Sequence, residues 1–328
     1  MAAIVKLRLT MYLTLAVIFA IAFAIIAAIM FYIGAGLIAI IGITALFFLF
    51  QWIASPALMR VMGRLKYIGE NEYPKLHDMV NRLAKQAGVP IPKIAIAPRQ
   101  DPNAYVFGRT RNSATLVVHQ GLLPMLNDDE MESVLAHEIG HLRHNDTTVM
   151  MMISFLPMLM YMIAQNMLLS GMFGGNSRNN NASVLMLVGA AAFIFYFFLQ
   201  LMILGLSRMR ESYADEYSAT TTGKPESLAS SLLKISASNA IAPVKSDNTA
   251  AKSFYIAGLT TSQEEINQIR EHSSELKKLL PNLNLKQFMD EAKKGGTGAG
   301  MMMNLFSNHP PIYKRVLALA ELKKEMKK

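Results

Sequence analysis

The chain has 328 residues, a length typical of about two domains. Hydrophobic residues make up 52% of it and charged residues 17%, which excludes an intrinsically disordered protein. There is no cysteine, so disulfide-stapled scaffolds, cysteine-ligated zinc fingers and iron–sulfur proteins are excluded, and any metal must be held by His, Asp or Glu. The formal net charge of +9 is compatible with nucleic-acid binding, but the sequence contains no recognisable nucleic-acid-binding module, and we expect no such partner.

Long stretches without charge predict four membrane-spanning helices. Residues 9–59 contain no charged side chain and, at about 20 residues per crossing, hold two spans. A cleavable signal peptide has an apolar core of only about 7–15 residues, and this stretch lacks a convincing cleavage site, so we interpret both spans as retained. Residues 150–169 and 184–206 form the third and fourth predicted spans. The alternative, buried helices of a soluble protein, is disfavoured because such helices rarely lack a polar stripe over this length.

Basic residues flank all four predicted spans on one side of the membrane. They are Lys6, Arg8, Arg60, Arg64, Lys66, Arg143, Arg208 and Arg210. The loops on the opposite side contain a single charged residue, Arg178. Because positive charge is concentrated on the cytoplasmic side of membrane proteins, the sequence predicts a multi-pass protein of the cell (plasma or inner) membrane whose soluble parts lie in the cytoplasm.

The spans divide the chain into four predicted segments. These are 9–59 with the first two spans, 60–146 as the first part of a cytoplasmic domain, 147–207 with the other two spans, and 208–328 as its second part. Apolar periodicity and turn residues predict an amphipathic helix over 73–86, strands over 93–98, 104–107 and 114–119, and a helix over 128–144. The second cytoplasmic part is predicted to be mostly helical, so the domain is of the α+β class with a small sheet.

The last of these helices contains the sequence His137-Glu138-Ile-Gly-His141, an H-E-x-x-H motif. Four helical residues advance about 400°, so the two imidazoles lie one above the other and can bind one ion. Glu138 lies about 100° further round, where it can polarise a water molecule rather than ligate the ion. A chain of this composition is expected to contain the motif by chance only about 0.01 times.

A third ligand must come from elsewhere in the chain. The metzincin pattern needs a glycine and a histidine at the positions held here by His144 and Thr147, so that class is excluded. Just after the fourth span, Glu211 and Asp215 lie four residues apart and share a helix face. Glu211 can complete a His-His-Glu set, with Asp215 accepting a hydrogen bond from a ligating histidine. The alternative is a solvated face that pairs with neighbouring arginines.

The order of these features resembles the HtpX-type membrane zinc endopeptidases, which are gluzincins related to the prenyl-protein proteases. The resemblance depends on two N-terminal spans, the motif at 137–141, two further spans, and then the Arg-Glu-x-x-x-Asp segment at 210–215. It implies a mainly α membrane protein, with four transmembrane helices and a cytoplasmic zincin-like α+β catalytic domain. It also implies one Zn2+ per chain, with Glu211 as the third ligand and Glu138 as the general base.

Two shorter segments extend the resemblance. Asn103 and Ala104 match the family's edge strand, which pairs with the substrate backbone, although an ordinary short strand after a turn is the alternative. His309 lies in a His-Pro-Pro segment and is the implied oxyanion stabiliser, although an exposed residue at a helix start is the alternative. Tyr213 and Tyr217 are further candidates for that role, or they are packed helix aromatics.

We therefore expect a membrane-embedded zinc endopeptidase whose substrates, by the resemblance, are damaged or misassembled membrane proteins, with self-cleavage included. Both ligand helices run directly into predicted spans, which puts the zinc within about 10–15 Å of the cytoplasmic membrane surface. Two other classes remain open at this point. One is a non-hydrolytic zinc transporter or carrier, and the other is an inactive scaffold of the same fold.

Overall fold

The computed structural model describes residues 63–173, 181–241, 269–281 and 310–326, together with isolated positions between 13 and 61 and at 267 and 285. Nearly all of the first two predicted spans, and His309, lie outside the described residues. The described residues form two compact units. We call the part from Met1–Ile53 and Val149–Met209 the hairpin unit, and the part from Ala54–Thr148 and Arg210–Lys328 the sheet unit.

Helices predominate in the described residues, with one small mixed sheet. The strands are β1 (Lys66–Tyr67), β2 (Lys93–Ala97), β3 (Ala104–Phe107) and β4 (Thr115–His119). The helices are α1 (Pro74–Ala87), α2 (Asp128–Arg143), α3 (Asp146–Phe173), α4 (Asn181–Thr222), α5 (Pro225–Ile241), α6 (Ser273–Leu279) and α7 (Ile312–Met326). The predicted amphipathic helix, the three predicted strands and the motif helix are confirmed, each within about two residues at its ends.

The sheet has the strand order β1-β2-β4-β3, with β2 and β4 parallel and both outer strands antiparallel to their neighbours. Because side chains alternate along a strand, one face of the sheet joins the main core with α1 and α2. The other face forms a smaller cluster around Tyr105, Phe107 and Val117. β3 is an edge strand, as the family resemblance implies for the segment that contains Ala104.

Local signals set the helix ends. Pro74 occupies the first turn of α1, and Gly88 ends the helix in the left-handed conformation, with φ of 67°. Asn127 caps α2: its side chain accepts a hydrogen bond from the backbone N–H of Glu130, and the Glu130 side chain accepts one from the backbone N–H of Asn127. These caps fix where the motif helix begins relative to the sheet.

α2 and the C-terminal part of α4 approach closely because Gly140 has no side chain. A Cβ atom at Gly140 would lie 3.0 Å from Cδ1 of Tyr217 and 3.4 Å from Cα of Ala214. One turn further along, Ser218 donates a hydrogen bond of 2.6 Å to the backbone oxygen of Ser133. This contact brings the two motif histidines beside the helix face that carries the acidic residues.

In the hairpin unit, α3 and α4 pack through an apolar cluster that includes Met160, Leu199 and Leu206. The outer surface of α4 is apolar and exposed, with Leu187 71% and Ile194 69% exposed. Among the described residues, α4 is long and apolar enough to cross a membrane, and only 17% of its most apolar window is buried. The four spans and the domain limits deduced from them stay predictions.

Candidate metal centre

The structure brings the two motif histidines and Glu211 together in the sheet unit. Nε2 of His137 lies 3.2 Å from Nε2 of His141. Oε2 of Glu211 lies 3.6 Å from Nε2 of His137, and Oε1 of Glu211 lies 3.4 Å from Nε2 of His141. One ligand atom from each of these three residues lies within 4.8 Å of the others, close enough for the three side chains to bind one metal ion together.

The first histidine is supported by a buried aspartate and a buried arginine. Nδ1 of His137 lies 3.0 Å from Oδ1 of Asp215, as expected if Asp215 orients the ring from behind. Asp215 in turn accepts two hydrogen bonds from Arg315 on α7, at 2.8 Å and 2.7 Å. Sequence reasoning had identified Asp215 but not Arg315, because no local pattern at 315 indicates a partner 100 residues earlier in the chain.

The second histidine has a support of the same kind. Nδ1 of His141 lies 2.7 Å from Oδ2 of Asp146, whose other oxygen forms a 2.8 Å ion pair with Arg210. Asp146 begins α3, five residues after His141, and sequence reasoning missed it. A search for carboxylates within two turns of each motif histidine would have found it. Each histidine therefore has an aspartate behind it, and each aspartate pairs with a buried arginine.

Buried acidic groups outnumber buried basic groups near the donors in the described part of the chain. The carboxylates are Glu138, Asp146, Glu211 and Asp215, and the guanidinium groups are Arg210 and Arg315. Burying an excess of carboxylates is costly unless a cation balances it, which supports a metal ion as the occupant of this site.

Glu138 is a buried carboxylate close to the three proposed metal ligands. It is 3% exposed, and burial raises the pKa of its carboxyl group above the ordinary value. The backbone N–H of Val106 on β3 donates a hydrogen bond to it. For His137, burial disfavours the charged ring, but the contacts with Asp215 and Glu211 outweigh burial and raise its pKa.

The remaining candidates lie in different surroundings. Asn103 and Ala104 lie at the start of the edge strand and are buried, with 1% and 0% exposure. Tyr213 packs its ring 5.5 Å from that of His144, and Tyr217 packs against Gly140, so both are helix aromatics in packed positions. The prediction for His309 falls outside the described residues and stays a prediction.

Comparisons with known proteins agree with this site. The family model for Peptidase family M48 matches residues 70–323. A protein named Protease HtpX homolog from Methanothermobacter thermautotrophicus is 37% identical over 233 residues, which cover 70% of this chain and 86% of that protein. Another protein of that name, from Thermococcus sibiricus, is 31% identical over 280 residues, covering 84% and 83% of the two chains.

A solved structure has the same fold. The crystal structure of S. mikatae Ste24p superposes with a TM-score of 0.52 and covers 96% of this chain and 67% of its own, at 18% sequence identity. At that identity, the likeness extends to the fold alone. The sequence matches carry the assignment further, because they span most of both chains and join the metal-binding motif to protease relatives. The chain is a metalloprotease and belongs to Peptidase family M48.

Proposed function

We propose that the chain is a zinc-dependent endopeptidase of the cell membrane that hydrolyses damaged or misfolded membrane proteins near the cytoplasmic membrane surface. The observation that carries the proposal is the close approach of His137, His141 and Glu211, whose nearest nitrogen and carboxylate oxygen atoms lie 3.2–3.6 Å apart. Two imidazoles and one carboxylate with an open fourth position are the ligand set of catalytic zinc in proteases. Zinc supplies Lewis acidity and lowers the pKa of a bound water to about 7.

In this mechanism Glu138 moves the protons. It follows His137 directly on α2, and the Val106 N–H orients its carboxylate. Glu138 takes a proton from the attacking water and passes it to the leaving amine, as a general base and then a general acid. A pKa raised by burial makes the carboxylate a stronger base than an exposed glutamate, which suits it for the first of these steps.

We propose that the substrate lies along β3 as an added strand. Asn103 accepts a hydrogen bond from the backbone N–H of His119 on β4, so the alternate residues Ala104 and Val106 turn their peptide groups away from β4. A peptide that pairs with the backbone groups of Ala104 and with the carbonyl group of Val106 is bound by its backbone, which tolerates many sequences. The N–H of Val106 stays with Glu138. Because Ala104 is buried, an incoming peptide has to displace the groups that cover this edge.

The location near the membrane is supported by the continuity of α4. This helix runs without a break from Asn181 to Thr222, so it contains both the fourth predicted span and Glu211. Five helical residues separate Glu211 from Leu206, the end of that span, which corresponds to about 7.5 Å along the axis. A site so close to the bilayer favours loops and unfolded tails of membrane proteins, including those of other copies of the chain itself. We expect the sheet unit to face the cytoplasm, as the flanking basic residues predict.

The test is cleavage of an unfolded soluble protein by the purified full chain, before and after metal removal with a chelator. We expect activity to disappear with the chelator and to return on addition of one equivalent of zinc. The matched control is Glu138→Gln, which should bind zinc and lose most of its cleavage activity. Cleavage at the unmodified rate in the chelated enzyme or in Glu138→Gln would refute the proposal. A zinc carrier or inactive scaffold, which the protease family does not favour, would show zinc binding without any cleavage.

The membrane part of the proposal needs its own measurement. Peptides released from co-expressed membrane proteins can be mapped by mass spectrometry in cells carrying the active chain or Glu138→Gln. We expect cleavage sites to cluster in cytoplasmic loops and tails next to predicted spans. Sites spread evenly through large cytosolic domains would contradict a centre close to the membrane.

A further inference from the structure

Arg315 on α7 contacts two carboxylates of the metal centre at once. Its Nε and Nη2 atoms donate to the two oxygens of Asp215, and its Nη1 atom lies 3.3 Å from Oε2 of Glu211. The side chain is buried, with 3% of the residue exposed. Glu211 and Asp215 are one turn apart on α4, so a single planar guanidinium group bridges neighbouring positions on one helix face.

These contacts connect two of the proposed ligands through two other side chains. The chain of contacts runs from Nδ1 of His137 to Asp215, from Asp215 to Arg315, and from Arg315 to Oε2 of Glu211. Asp215 and Arg315 therefore link two of the three proposed ligands to each other. The second aspartate–arginine pair, Asp146 and Arg210, supports the other motif histidine, His141.

Glu211 needs such a support more than the histidines do. A glutamate side chain has three rotatable bonds, and holding all three in one orientation costs conformational entropy. The neighbouring charge of Asp215 also repels its carboxylate. A guanidinium group that forms a fork with one carboxylate and reaches the other removes both problems, and a lysine, with a single ammonium group, does not reproduce this geometry.

We propose that Arg315 is a positioning residue that holds the Glu211 carboxylate in the orientation required to bind the metal, which makes helix α7 part of the metal centre. The inference rests on the proposed role of Glu211 as third ligand. It assigns a function to a residue 104 positions after Glu211, in a helix whose sequence carries no metal-binding motif. In this arrangement the metal centre is complete only when α7 is packed against it.

The experiment measures zinc affinity directly, by competition with a chromogenic chelator, on the full chain in detergent. Arg315→Gln removes the charge and both contacts, and Arg315→Lys retains the charge without the fork. Lys314→Gln is the matched control, because it removes one positive charge from the adjacent, exposed position of the same helix. We expect Arg315→Gln to weaken zinc binding about 10–100-fold. Arg315→Lys should weaken it less, and Lys314→Gln should bind zinc as tightly as the unmodified chain.

A double variant shows whether Arg315 affects zinc affinity through its contact with Glu211 or only through Asp215. Because it removes one buried positive and one buried negative charge, we expect it to stay folded. We expect Arg315→Gln/Asp215→Asn to bind zinc more weakly than Asp215→Asn alone, because only the former lacks the contact with Glu211. Equal affinities of these two variants would show that Arg315 acts only through Asp215 and would overturn the inference.

The dependence of peptide cleavage on zinc concentration distinguishes a positioning role from a general loss of structure. We expect kcat of Arg315→Gln to rise towards that of the unmodified chain as the zinc concentration is raised, with KM unchanged. A raised KM with normal zinc affinity would mean that Arg315 contacts the substrate, and the inference would fail. If the unmodified chain bound no zinc, the proposed function itself would fail, and that result is distinguishable because it does not involve Arg315.

Discussion

Replacing Asp146 by Asn tests whether the support behind His141 matters as the structure indicates. Asp146 is buried and accepts from two donors, Nδ1 of His141 at 2.7 Å and Arg210 at 2.8 Å. Asparagine has the same shape but one acceptor oxygen, so its NH2 group must face one of these donors. In either orientation the buried Arg210 guanidinium loses the charge that neutralises it.

The size of the effect follows from this geometry. Removing one partner of a buried ion pair costs about 3–5 kcal/mol, because the other charge is left uncompensated. At about 2–4 °C per kcal/mol, the Tm of the sheet unit should fall by roughly 6–20 °C. Zinc affinity should fall about 10–100-fold, the usual result of losing the group that orients a ligating histidine.

The assay is thermal unfolding of the metal-free full chain in detergent, followed by circular dichroism, with zinc titration in parallel. The matched control is Asp128→Asn, which removes the same charge from an exposed pair with Lys75 at the start of α2, where we expect a change within about 0.5 kcal/mol. Adding Arg210→Met to Asp146→Asn removes the uncompensated charge and should recover most of the stability. An unchanged Tm in Asp146→Asn, or a double variant less stable than the single one, would refute this reasoning.

Three further predictions concern the donors and their placement. Glu211→Ala removes one ligand and should abolish stoichiometric zinc binding, measured by metal analysis after dialysis, while the chain stays folded by circular dichroism. Glu138→Gln should keep zinc and lower kcat by about 10²–10⁴-fold, and normal turnover in this variant would exclude Glu138 as the base. Gly140→Ala adds a methyl group 3.0 Å from the Tyr217 ring, which should increase the distance between α2 and α4 and weaken zinc binding. Adding Tyr217→Leu to this variant removes the ring and should restore zinc affinity.

Elements with strong local signals were predictable from sequence. The amphipathic helix that ends at Gly88 and the short, almost continuously apolar strands have ends set by nearby residues. The same is true of the motif helix, because the spacing of His137 and His141 defines a helix face without reference to any other segment. The edge position of β3 was anticipated from a family resemblance and agrees with the strand order of the sheet.

Partners that come from distant segments were not predictable. Arg315 and Arg210 carry ordinary basic side chains, and only the packing of α7 and α4 shows that both are buried beside carboxylates. The burial of Ala104 was not predictable from the sequence either. The order of apolar residues along an edge strand is the same whether or not other side chains cover that edge. The first two spans and His309 lie outside the described residues, so those predictions stand on the sequence alone.

The order of the donors along the chain has a consequence for synthesis of the enzyme. His137 and His141 leave the ribosome first, and the whole of α3 and most of α4 must follow before Glu211 emerges. A nascent chain that has reached only α3 therefore offers a metal two imidazoles and no carboxylate from α4. With the proposed ligand set, such a half-made polypeptide lacks the third ligand, and we expect it not to cleave itself or the membrane insertion machinery while it is being translated.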